Sequence, residues 1–219
     1  MELLEDHCGQ SIGALINVAQ LIPLPSDTPM GNMALKFMRV VERLGHANRR
    51  IGESHEAWRA ALGADPVVPS PMTEHMYSTE EAVYMIRRVA DELIALDFYL
   101  HARLRDGQYP DKLEVDSVGA ELNSKSPRFG DHRDFLRVLN EISNAHKHSF
   151  VQSDLVIVGS KDPCVVALPL SRNALTSQLK FYVVRLDDVV TDFNRFSRAC
   201  TDLLRMSYAA LQAAGGMTG

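Results

Sequence analysis

The 219-residue chain has three cysteines, Cys8, Cys164 and Cys200, an odd number, far apart and without CxxC spacing. That rules out a disulfide framework and a cysteine-based zinc site. A reducing cytoplasm is the compartment this favours. Long apolar runs are missing too: no stretch reaches the roughly 20 residues that a spanning helix needs, and ALINVAQLIPLP stops at prolines. The opening MELLEDHCG is acidic where a secretory signal would be basic. Nor is there an excess of positive charge. The formal net charge is -5, from 23 Lys and Arg against 28 Asp and Glu, which excludes a surface dominated by phosphate contacts and hence extensive duplex DNA binding. The sequence has no P-loop, GxGxxG, HExxH, GxSxG or EF-hand loop.

What is present is that of an ordinary globular chain, 46% hydrophobic and 23% charged, long enough for one sizeable core and expected to form a single domain, 1-219. Ser11 to Ile22 carries a short helical pattern that Pro23 and Pro25 end. From Met33 to Leu62, steps of three and four link Phe37, Val41, Leu44, Asn48, Ile51, His55 and Trp58, one long helix with two polar seam positions. The proline-rich GADPVVPSP is a connector. A capping-box pattern, Ser78 with Glu81, starts a second long helix that Gly107 and Pro110 close. Residues 108 to 130 follow neither period and read as a long loop, of the kind that is often functional or mobile. Asp131 can cap a third helix that carries Phe135, Leu139 and Ile142 and runs into residues 144 to 150. DLVIVGSKDPCVVALPL reads as two short strands around a turn and QLKFYVVRL as a third, and a long helix from Leu186 closes the pattern. The expected fold is mainly α: a four-helix-bundle-like core with a small antiparallel β insertion, about residues 153-186, before the C-terminal helix.

The chemical lead is NAHKHSF, residues 144 to 150, where the helical period gives way to the β period. At 100° per residue His146 falls on the apolar side, where a hydrogen bond to a neighbouring helix would satisfy it. Arg137, Glu141, Asn144 and His148 fall on the opposite side with Lys147 beside them. Two histidines pointing apart cannot clamp a metal on a helix, so neither a metal nor any other cofactor is expected. An imidazole titrating near neutral pH beside cations suits metal-free phosphodiester cleavage: His148 would move the 2'-OH proton while Asn144 and Lys147 assist and Arg137 helps hold the phosphate. Asn48 and His55 need hydrogen-bond partners in their seam. Asp97 of the second helix would supply one, and a shared polar pocket with the third helix would supply another.

An all-helical bundle whose late helix ends in N-x-x-K-H, here Asn144, Lys147 and His148, resembles the HEPN superfamily, the "higher eukaryotes and prokaryotes nucleotide-binding" domains. That resemblance implies a homodimer that is either a metal-independent ribonuclease or a noncatalytic binding module. Catalytic members carry an arginine a short step before the histidine. The positions that would suit it hold Leu139, Asn140, Glu141, Ile142 and Ser143. The expectation is therefore a noncatalytic, bacterial-type cytoplasmic interaction module with Arg137, Glu141, Asn48 and His55 in its binding surface and a protein, RNA or nucleotide partner. The alternative is a ribonuclease using His148 with Asn144 and Lys147.

Overall fold

A computed structural model describes residues 1-5, 22-63, 71-148, 160-169 and 180-215, with the His148 side chain outside that set. The chain is mainly helical, and the helices pack on one another. Helix α1 spans Met33–Leu62, α2 Pro71–Asp106, α3 Val118–Leu122, α4 Arg133–His148 and α5 Leu186–Gly215. Strands β1, Cys164–Ala167, and β2, Tyr182–Arg185, pair antiparallel with Cys164 opposite Arg185. The expected N-terminal helix, apart from Ile22, the first strand of the expected hairpin and most of the connector lie outside the described residues.

Local chemistry accounts for three of the helix ends. Asn32 caps α1, its side chain accepting from the Leu35 amide at 3.2 Å, a contact worth about 1 kcal/mol. Gly107, at φ 72°, ends α2 and returns its N–H to the Arg103 carbonyl at 3.1 Å, in a left-handed conformation that favours glycine. The start of α2 corrects the capping-box expectation. The helix begins at Pro71, seven residues before Ser78, because proline's fixed φ and missing N–H suit a first helical turn. Ser78 is buried inside it.

The α1 and α2 helices form the most extensive pairing, with α5 packed on α2 and α4 closing the bundle. Phe37, Leu44 and Ile51 from α1 meet Ile86, Leu93 and Ile94 from α2, Leu136, Leu139 and Ile142 from α4, and Phe193, Phe196 and Leu204 from α5 in one apolar cluster. The segment 108 to 130 was expected to be a loop. It contains α3 and runs into a 3-10 turn at Gly130–His132, and charged side chains clip it to α2. Asp91 accepts from the Val118 amide at 2.7 Å, and Asp97, with its carboxylate fully buried, takes Arg128 at 2.5 and 3.1 Å. Buried Glu121 accepts from the Phe129 amide at 2.8 Å. No described helix is long and apolar enough to cross a membrane.

Candidate functional site

In α4 the 3.6 period sends Leu136, Leu139, Ile142 and Ala145 into the core, and it sets Ser143 and His146 one turn apart along the edge that faces α2. His146 is half-buried, and its Nε2 lies 3.3 Å from the Val166 carbonyl oxygen of β1. The partner is thus a strand rather than the expected neighbouring helix. A carbonyl can only accept, so Nε2 carries the proton and, in the neutral ring, Nδ1 presents a lone pair. That Nδ1 is buried with no hydrogen-bond partner among the described residues. Ser143 Oγ is in the same position, in a residue 1% exposed. Orphaned buried polar atoms of this kind cost about 1–3 kcal/mol each.

Both residues line a groove of about 350 Å³ whose other wall is the outward face of α2: Tyr77, Glu80, Glu81 and Tyr84, spaced three, one and three residues apart. The two tyrosines are 63% and 45% exposed, large apolar rings left facing solvent on one side of one helix. Lys147 completes the lining, with its Nζ 4.7 Å from the centre of the Tyr84 ring, a cation–π contact. Burial, then the Arg87 and Arg88 guanidinium groups, push the Lys147 ammonium below its ordinary range. Arg87 is itself buried, which lowers it to about 10; it pairs with Asp91 and donates to Asn140 Oδ1 at 3.1 Å. Glu81 is held by Arg50 at 2.5 Å, so part of the acidic charge beside the tyrosines is already matched.

The residues singled out in the sequence scatter. Lys147 lies in the groove, whereas Arg137 and Asn144 are exposed and outside its lining. Arg137 pairs with Asp134 at 3.0 Å, and Glu141 sits 4.0 Å from Lys180. Arg137 precedes Lys147 by almost three helical turns, about 15 Å along the axis, so one small phosphate cannot bridge them on α4. Asn48 and His55 serve another part of the bundle. Asn48 bonds both backbone groups of Leu4, at 2.8 and 3.0 Å, and His55 Nε2 lies 3.0 Å from Asp187 Oδ1. Asp97, the partner expected for them, is taken by Arg128.

Burial chiefly, with the N-terminal ammonium and Arg59, holds the His55 imidazole below its ordinary value although Asp187 raises it. Burial pushes the Asp187 carboxyl up, yet the Glu2 amide and His55 together hold it below its ordinary value.

Tyr77, Tyr84 and Ser143 were not singled out from the sequence. The available signal was two tyrosines seven residues apart on the solvent face of an amphipathic helix. His75 was missed as well. Its Nδ1 lies 2.9 Å from Ser54 Oγ and its Nε2 3.3 Å from the Cys164 carbonyl, so it joins α1, α2 and β1. Ser54 also meets Thr79 at 2.7 Å, which makes a satisfied network that fixes helix register. Among the described residues no three His, Cys, Asp or Glu side chains gather in a way that could hold a metal ion. No protein-family model, curated protein or solved structure matches the chain.

Proposed function

We propose that the chain is a noncatalytic helical-bundle binding module, HEPN-like in architecture, that holds a nucleotide or a short single strand of RNA in the groove between α2 and the end of α4. The observation that carries this reading is the pair of orphaned polar atoms, Ser143 Oγ and His146 Nδ1, in a groove flanked by exposed tyrosines and an ammonium. A hydroxyl that can donate beside a ring nitrogen that can accept matches the edge of a nucleobase, which offers an acceptor beside an amino group. Stacking of a base on tyrosine contributes about 1–3 kcal/mol and needs no sequence preference. Lys147 supplies the cation for the phosphate.

A small ligand suits the net charge of -5, since it needs one local cation rather than a long basic track. A reducing cytoplasm suits Cys164 and Cys200, which are both buried and unpaired. The resemblance to the HEPN bundles implies a homodimer, which sedimentation equilibrium would test.

Binding is tested by fluorescence anisotropy of a labelled single-stranded RNA in EDTA, with the same samples run on a denaturing gel. Saturable binding that AMP competes away, with the RNA intact, supports the reading. Cleavage leaving 2',3'-cyclic phosphate ends and lost in His148→Ala would replace it with the ribonuclease. No binding at any salt concentration would overturn both.

A further inference from the structure

Away from that groove, residues 2 to 5, ELLE, lie extended between α1 and α5, with Glu5 in a β-bridge and five backbone groups of the segment bonded by side chains. Asn48 of α1 accepts from the Leu4 N–H at 2.8 Å and donates to the Leu4 carbonyl at 3.0 Å. Asn194 of α5 donates to the Leu3 carbonyl at 3.0 Å and accepts from the Glu5 N–H at 3.0 Å. In an extended strand the N–H and C=O of one residue point to one side, and the flanking groups of its neighbours point to the other. Two asparagines on two helices, each using its carbonyl and its amide, therefore read both edges of one strand. The Glu2 amide adds a fifth such bond, to Asp187 Oδ1 at 3.0 Å.

Side-chain recognition is added at two positions. Leu4 is 0% exposed, seated among core residues, and Glu5 makes a two-pronged pair with Arg198 at 2.6 and 2.7 Å. Main-chain bonds that hold any extended segment, together with a pocket and a guanidinium that select one pattern, are the parts of a peptide-recognition groove.

We infer that the channel between α1 and α5 is a peptide-binding site for an extended leucine-then-carboxylate segment of a partner protein, occupied in this structure by the chain's own residues 2 to 5. The occupant is defined by what the groove already holds: a leucine in the pocket between Asn48 and Asn194, and an acidic residue after it for Arg198. The resident segment competes through covalent attachment, which gives it an effective concentration on the order of millimolar. Partner binding is thereby gated by release of the resident.

The probe is a fluorescein-labelled peptide of sequence ELLED, titrated into the full chain and followed by anisotropy. In Leu4→Ala the resident is weakened while the pocket stays, so the peptide should bind at least about tenfold more tightly than to wild type. Adding Asn194→Leu, or replacing the second leucine of the peptide with aspartate, should abolish binding. If Leu4→Ala unfolds, the alternative is a full chain with a protease site inserted between residues 10 and 11 and cut after folding, in which the labelled peptide should replace the severed segment. A folded Leu4→Ala protein that ignores the peptide, or a nicked protein that never exchanges, would overturn the inference.

Discussion

His146 Nε2 lies 3.3 Å from the Val166 carbonyl oxygen, so its N–H donates there and ties the last turn of α4 to β1. The other nitrogen, Nδ1, is buried without a hydrogen-bond partner among the described residues, as is Ser143 Oγ one turn away. The bond to the strand thus fixes the orientation of the ring whose Nδ1 serves in the proposed binding.

Ser143→Ala should leave stability unchanged or raise it by up to about 1 kcal/mol, because it removes a buried hydroxyl that has no partner among the described residues. Nucleotide affinity should fall in the same variant. Urea unfolding and a binding titration on one preparation separate the two effects; a serine bonded only within the fold would lose stability and leave affinity intact.

Lys147→Ala should weaken RNA binding at every sequence tested and make the affinity less dependent on salt by about one released counterion. Tyr84→Ala should weaken binding too, without changing the salt slope. Affinities measured across a salt series would distinguish charge from stacking.

Much of the scaffold was legible in the sequence, for reasons visible in single elements. In α1 a seam of steps of three and four, apolar but for Asn48 and His55, runs from Met33 to Leu62, and both ends fall where the period placed them. The start of α5 was equally plain. The start of α2 was not, since a good capping box at Ser78 and Glu81 lies in its interior and Pro71 is read as easily as loop. Partners were the larger loss. Asn48, His55 and His146 were expected to need hydrogen bonds. Their partners Leu4, Asp187 and Val166 are distant in sequence or are backbone atoms, which no local pattern marks. The groove was least legible, because an orphaned atom is a property of the packed structure alone.

Breaking the Asp97–Arg128 pair should be the costliest change in the segment before α4. Asp97 is fully buried, so Arg128→Ala strands a charge and should cost about 3 kcal/mol, at the low end of the usual range because Arg128 is partly exposed. Asp97→Leu with Arg128→Met should recover most of the loss. A double-mutant cycle in urea measures it.

Acid should destabilise the fold before any carboxylate titrates. Burial holds both His55 and His75 below the ordinary imidazole value of 6.5. As pH falls through 6.5 the unfolded chain takes up protons that the folded chain refuses. Stability is therefore full above that value and declines toward the lower folded values. Asp187 is held below its ordinary 3.8, and its contribution is lost only at lower pH still. The Tm should hold above about pH 6.5 and drop steadily from there toward about pH 5, and in His75→Gln the drop should be shallower.

The groove itself is tested most directly by following the side-chain nitrogens of His146 by NMR in uniformly 15N-labelled protein as AMP is added. A base edge donating to Nδ1 should move that resonance away from its free lone-pair position in proportion to saturation, while Nε2, bonded to Val166, stays nearly fixed. An Nδ1 resonance that does not move while AMP saturates its binding elsewhere would contradict the account.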